Sequence, residues 1–393
     1  MQCSLVARRL APLFIGKFLL SFVFWYSVEK IFMTTIGFDM ASIGAMAALY
    51  SIVSVSLEIP SGILADRWSR KGVMILAAIA LALSGLVGGL SQNVPVFLVS
   101  AIFWGLFDAM ASGTADSMIY DTLIEEKGNS KGYEKILGYF NALGGVALIA
   151  SALIGGVIGE QLSLRETFLW SVPFALLSIY FFGRFRDTNI QHESNDTRLI
   201  AHTRQTFAAI FTNRNLIWIL VSLFALNLIS GIIGEMYQLW YLEIDMPVIL
   251  YGTAGAIVLS TYGTGGVVTQ FFTTKRSVLI GMTGILVFSF ILIFGRQAWS
   301  LIAAQFVVGF LAYTLFLALT AQMHRYLPSH VRAGSASVTN TVIRLMFAPL
   351  VLWFGWTSEQ SSVFVASWAL VALIIVGLFS ELNTRFRSRN IVR

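Results

Sequence analysis

Twelve apolar stretches run the length of this 393-residue chain, most of them separated by short polar breaks. They lie at about 11–33, 42–65, 72–91, 95–121, 136–159, 166–184, 214–241, 249–273, 278–295, 298–323, 333–357 and 361–381. A helix rises about 1.5 Å per residue, so about 20 residues cross the roughly 30 Å apolar layer of a bilayer. Composition agrees. The chain is 57% hydrophobic and 12% charged, whereas soluble domains average about 25% charged. The sequence therefore reads as an all-α integral membrane protein with twelve transmembrane helices.

Its charges set the topology. Between the second and third stretches stands Gly62-Ile-Leu-Ala-Asp66-Arg67-Trp-Ser-Arg70-Lys71, with one acid and three bases on a very short connection. That many charges must emerge into water. Of the 26 Lys and Arg, 21 fall on the side of this hairpin; three (Lys30, Arg165, Arg296) fall on the other side, and two (Lys17, Arg344) lie inside spans. Basic residues collect on the cytoplasmic side, so both termini are expected there. The same count explains the net charge of +6 without invoking nucleic acid. A single cysteine, Cys3, excludes an internal disulfide and a thiolate metal cluster. The chain opens into Arg8, Arg9 and a long first span, so no cleavable leader is expected.

The hairpin carries a resemblance. Gly62, Asp66, Arg67, Arg70 and Lys71 match the loop between spans two and three that resembles the signature of the major facilitator superfamily of secondary transporters. Ser69 stands where that family often has glycine. Glu58-Ile59-Pro60-Ser61-Gly62, Ser112-Gly113-Thr114-Ala115-Asp116 and Leu327-Pro328 with Arg332, Ala333 and Ser335 resemble a bacterial subgroup. At the fifth span the glycine pair of the exporter motif is present as Gly155-Gly156, and its Gly-Pro is not. The resemblance implies two pseudo-symmetric six-helix bundles. The chain divides accordingly into 1–186, a cytoplasmic linker 187–213, 214–382 and a basic cytoplasmic tail 383–393. Asp39-Met40 before span two recurs as Asp245-Met246 before span eight, as a repeat requires. The resemblance also implies that Asp121 pairs with Arg67 or Arg70, and that Asp66 caps the start of span eleven.

Intramembrane charge is the informative chemical signal, since each such group costs about 2.5–3.5 kcal/mol at a helix centre. Six candidates fall inside spans: Lys17, Glu58, Asp108, Asp116, Glu235 and Arg344. Helical spacing sets them on polar stripes. These are Lys17, Ser21 and Trp25; Tyr50, Ser54, Glu58 and Ser61; Asp108, Ser112 and Asp116; Asn227, Gly231, Glu235 and Gln238; and Asn340 with Arg344. The resemblance turns spans one, two, four, seven and eleven toward a central cavity. Each residue also has a plainer role. Lys17 and Glu58, at similar depth, are expected either as a structural ion pair or as cavity groups. Glu235 fits a solvated position near the outer surface, Arg344 a bond to backbone carbonyls, and Asp121 a structural role. Trp25, Tyr26, Tyr237, Trp240 and Tyr241 fit an interfacial belt or the wall of a cavity for an amphipathic or cationic solute.

No phosphate-binding loop, nucleophile elbow or paired-histidine zinc motif appears in the sequence, so neither an enzyme nor a cofactor is expected. The resulting expectation is a monomeric carrier in a bacterial inner membrane, moving a small organic solute by alternating access. Proton-coupled efflux leads, proton-coupled nutrient uptake stands beside it, and a nontransporting membrane sensor is the reading from another class. Asp116, then Asp108, is the expected proton carrier, because no base shares their stripe.

Overall fold

The computed structural model describes residues 2–188, 214–326 and 329–390. Most of the expected linker lies outside the described residues, as do the side chains of Leu327, Pro328, Arg332, Ala333 and Ser335. Among the described residues all regular structure is helical: α1 (Gln2–Leu20), a 3-10 turn (Phe24–Ser27), α2 (Glu29–Thr35), α3 (Met40–Arg67), α4 (Arg70–Leu90), α5 (Val94–Ala111), α6 (Thr114–Lys127), α7 (Tyr133–Gln161), α8 (Leu164–Arg184), α9 (Arg214–Glu243), α10 (Val248–Val268), α11 (Lys275–Phe294) after a second 3-10 turn (Thr269–Phe271), α12 (Ala298–Tyr326), α13 (Ser329–Gln360), α14 (Val363–Ala366) and α15 (Trp368–Asn390). Eleven segments of the described chain are long and apolar enough to cross a membrane, and they overlap eleven of the twelve expected stretches. The 21-residue α10 occupies the place of the eighth. The fold is a twelve-helix membrane architecture.

Two expected spans are broken. The first loses α-helical form after Leu20 and passes through the 3-10 turn before α2. The fourth breaks between α5 and α6, where Gly113 adopts φ 69°, a left-handed conformation that glycine enters without steric penalty. The stripes Lys17–Ser21–Trp25 and Asp108–Ser112–Asp116 therefore do not run along continuous helices.

The chain forms two compact units, one of Met1–Asp39, Met46–Ser194 and Pro247–Ala256, the other of Met40–Ala45, Asn195–Met246 and Ile257–Arg393. In the first, α4 packs on α5 and α8, and α1 packs on α6, α7 and α8. Ser84 and Ser100 exchange hydroxyl-to-carbonyl bonds of 3.0 and 2.8 Å between α4 and α5. A Cβ added to Gly88 or Gly89 would stand 2.8 Å from the Phe168 ring or 2.7 Å from Leu169. Small residues permit this approach, which matters in lipid because apolar surface gains nothing by leaving it. Trp25 is buried here, stacked on Phe168 with centroids 5.0 Å apart. It is a core residue and does not belong to an interfacial belt.

The second unit is centred on α9, packed on α12 and α15. Tyr237, Trp240 and Tyr241 are among its most buried large side chains, at 1%, 0% and 0% exposure. They too depart from the expected belt. Trp240 donates Nε1–H to the Leu292 carbonyl at 2.9 Å, and Tyr241 donates its hydroxyl to Gln305. The Gln305 amide nitrogen in turn donates to the Tyr237 carbonyl at 3.1 Å. Aromatic rings carry polar ends into a core only where such partners exist. Gln305, fully buried, accepts the Tyr241 hydroxyl and ties it to the Tyr237 backbone, while the Leu292 carbonyl accepts the Trp240 N–H.

Candidate functional site

The hairpin between α3 and α4 is built on Ser69. Its backbone is extended (φ −173°), and its hydroxyl accepts the Gly72 N–H at 2.9 Å, capping α4. The same hydroxyl donates to Asp187 Oδ2 at 2.6 Å. Arg70 spans the hairpin, donating to Asp66 at 3.0 Å and to Asp121 on α6. Arg70, one of the two implied bases, is thus paired with Asp121. Asp66 is bonded inside its own hairpin, and its implied capping target lies among residues whose side chains are not described. Arg67 is exposed and Lys71 half-buried. A Cβ on Gly62 would meet nothing within 4 Å.

Arg9 extends the network. It donates to Glu125 at 2.8 Å and Glu126 at 2.5 Å on α6, and to the carbonyls of Arg186 and Asp187. Glu125, Glu126 and Asp187 are not among the residues expected from the sequence. The visible signal was a tandem acidic pair on one helix end and the tandem Arg8-Arg9 on another.

Inside the first unit, Lys17 lies in the last turn of α1. Its stem runs along α7, with Cε 2.8 Å from where a Cβ on Gly144 would stand, and its Nζ lies 5.9 Å from the Phe140 ring centre. Asp116, in the first turn of α6, is the acid whose charge acts on Lys17, from beyond ion-pair distance. The expected Lys17–Glu58 ion pair is not formed, and the Glu58 Oε2 is buried without a hydrogen-bond partner among the described residues. The reason is topological: the principal neighbours of α1 are α8, α6 and α7, and α3, which carries Glu58, is not among them. The break at Gly113 places Asp116 at a helix N-terminus, where partial positive charge favours an acid. Tyr133 also feels the Asp116 carboxylate and packs edge-on against Tyr120 at 5.4 Å.

Asp108 lies on α5 and accepts the Ser54 hydroxyl of α3 at 2.6 Å. Glu58, one turn further along α3, has its Oε2 buried without a hydrogen-bond partner among the described residues. In the second unit, Glu235 and Asn227 are half-buried on α9 and Gln238 is 1% exposed. The Glu235 charge reaches the Tyr262 hydroxyl, which lies 3.4 Å from the Ser230 carbonyl. Arg344 is half-buried on α13, one turn from Phe347, whose ring covers Gly231. The glycine pair of α7 is a packing device: a Cβ on Gly155 would collide with the Phe24 carbonyl, and one on Gly156 would lie 2.7 Å from Gly252 Cα.

A twelve-helix membrane fold with charged side chains inside its spans defines a polytopic membrane protein. Residues 10–351 match the family described as Major Facilitator Superfamily, and the chain belongs to that family. It is similar to the tetracycline resistance protein, class B, of Escherichia coli, 24% identical over 197 residues, covering 50% of this chain and 48% of that one. It is also 24% identical over 261 residues to the multidrug resistance protein MdtG of Serratia proteamaculans (strain 568), covering 63% and 60%. The matches thus span less than two thirds of these relatives. A crystal structure of a mutant of the nucleoside transporter NupG shares the fold with a TM-score of 0.80 at 16% identity, covering 96% of this chain and 99% of that one.

Proposed function

We propose that this chain is a secondary transporter that exports a small organic solute in exchange for protons, with Asp116 as the proton-carrying group. The observation that supports the reading is that Lys17 on α1 and Asp116 on α6, a base and an acid within the spans of the first unit, act on each other's charge where α1 packs on α6. Drug-resistance proteins among the relatives support the outward direction. An ionised pair in the membrane interior is stabilised by mutual attraction. When a proton binds the Asp116 carboxylate, the acid becomes neutral and Lys17 loses its counter-charge. An unpaired base there costs about 2.5–3.5 kcal/mol. A gradient of one pH unit supplies about 1.4 kcal/mol, and 100 mV supplies about 2.3 kcal/mol per charge. The two quantities are comparable, so one proton suffices to bias one arrangement of α1 and α6 over another. Gly113, with no steric penalty at positive φ, lets α6 tilt without dragging α5.

In this reading the chain is a monomer in a bacterial inner membrane, with both termini in the cytoplasm and no catalytic role. The hairpin network of Asp66, Arg70 and Asp121 holds one end of the first bundle shut, and Arg344 and Glu235 serve the second half. Everted vesicles with an acidified lumen test it. An exporter accumulates added tetracycline, the first probe of a compound panel, inside them. Asp116→Asn abolishes accumulation and retains solute exchange. Unchanged accumulation and pH dependence in Asp116→Asn overturns the assignment; gradient-driven efflux from the same vesicles indicates uptake instead.

A further inference from the structure

The break in the first span leaves backbone oxygens without the bonds a continuous helix would give them. After Leu20, the Phe22 N–H still donates to the Leu19 carbonyl at 3.0 Å and the Val23 N–H to that of Ser21 at 3.0 Å. The Phe24 N–H, which would close the next turn on Leu20, donates instead to the Ser171 hydroxyl of α8 at 2.9 Å. Among the described residues no hydrogen bond reaches the carbonyl of Leu20 or of Phe22. Leu20 is 4% exposed. Buried carbonyls are nearly always paired, and non-helical backbone at membrane depth persists only inside protein or around a polar cavity.

One stripe of α7 faces this break. At 3.6 residues per turn, Gly144, Ser151 and Gly155 fall within about 40° of one another. A Cβ on Gly144 would stand 3.3 Å from Ser21 Oγ, and one on Gly155 would collide with the Phe24 carbonyl and stand 3.2 Å from Ser27 Oγ. Ser151 lies between these two contacts on the same stripe, so it stands against the chain from Ser21 to Phe24. It is 0% exposed, and its hydroxyl has no hydrogen-bond partner among the described residues. The Ser21 hydroxyl donates its proton to the Lys17 carbonyl at 2.9 Å, which leaves its oxygen as an acceptor.

The groups gathered here are hard, neutral oxygens at the C-terminal end of α1, where the helix carries partial negative charge. Unwound carbonyls with neighbouring hydroxyls replace the hydration shell of a small cation and repel an anion. Lys17 does not compete for the place. Its Nζ turns to the Phe140 ring, eleven residues before Ser151 on α7, which is roughly 16 Å along the helix axis.

We propose that the break in the first span binds a monovalent alkali cation through the Leu20 carbonyl and the hydroxyl oxygens of Ser21 and Ser151. The bound ion ties the broken span to α7. The assignment goes beyond the proton-exchange reading and does not depend on it.

Thermal unfolding of the purified full-length protein in detergent tests it, at constant ionic strength, with sodium or potassium chloride replacing N-methylglucamine chloride. One alkali ion is expected to raise the wild-type melting temperature saturably by about 2–5 °C. Radioactive sodium, bound at equilibrium and displaced by unlabelled sodium and potassium, gives the affinity and the preference between them. Ser151→Ala is expected to weaken binding at least tenfold and to lose the alkali-induced rise. Its melting temperature in N-methylglucamine should match or exceed that of wild type, because the variant removes a buried hydroxyl without a partner. Should Ser151→Ala fail to fold, Ser21→Ala takes its place in the same comparison. Equal wild-type melting temperatures in all three salts overturn the proposal and leave a water at the break. A rise of unchanged size in the serine variant overturns it as well. Absence of gradient-driven transport in the everted vesicles counts against the exporter reading alone.

Discussion

Arg70 carries two acids, and burial separates their worth. The Asp121 side chain is 3% exposed and the Asp66 side chain 41%, while Arg70 itself is 13% exposed. Removing one partner of a buried ion pair typically costs about 3–5 kcal/mol, because the survivor is left uncompensated. In Asp121→Asn the survivor is Arg70, which keeps Asp66 at 3.0 Å. A solvent-screened pair of that kind returns at most about 1 kcal/mol. The expected net loss is therefore about 2–4 kcal/mol. Asp66→Asn removes only the screened partner and is expected to cost about 0–1 kcal/mol. Thermal unfolding in detergent, followed by the fluorescence of the buried tryptophans, reads both variants against wild type. Asp121→Asn should lower the midpoint several times more than Asp66→Asn, and raising the salt concentration should shrink only the smaller shift. Equal shifts, or a larger one for Asp66→Asn, refute the argument that burial sets the energy of this network.

Gly155→Ala and Gly145→Ala make the same chemical change on α7. The first drives a Cβ into the Phe24 carbonyl and should cost about 1–3 kcal/mol or more; the second meets nothing within 4 Å and should stabilise by about 0.5–1 kcal/mol. Opposite shifts in melting temperature are expected, and matching signs count against the packing described. Arg165 donates to the Gly89 and Ser91 carbonyls at the end of α4, so Arg165→Lys, which keeps the charge but loses the planar fork, should still destabilise; a neutral result means the charge alone matters. Lys17→Met and Asp116→Asn should each lower stability, and the double variant should lose less than their sum, with a coupling of about 0.5–3 kcal/mol. Strict additivity shows that the two do not interact.

The sequence by itself determined the twelve helical stretches. Hydropathy is a local property, and in lipid a stretch of that length must close its own hydrogen bonds. It also placed the hairpin of Gly62 to Lys71 at a helix junction, because four charges cannot stay in hydrocarbon. Depth was legible as well: Lys17, Glu58, Asp108 and Asp116 are separated from the ends of their spans by countable residues. Which of them meet was not. Lys17 comes within reach of the Asp116 charge because α1 packs on α6, and adjacency in a bundle is not adjacency in the chain. Nor was the break at Gly113 read from the sequence: Ser112, Thr114 and Asp116 around it pass as a polar stripe on one helix, and only the backbone shows the turn. Trp25, Tyr237, Trp240 and Tyr241 carried the composition of an interfacial belt. Their burial depends on partners such as Phe168, Leu292 and Gln305 that lie far along the chain. Hydrophobicity and charge are fixed residue by residue. Pairing is fixed only when helices distant in sequence are brought into contact, and that was left to the tertiary structure.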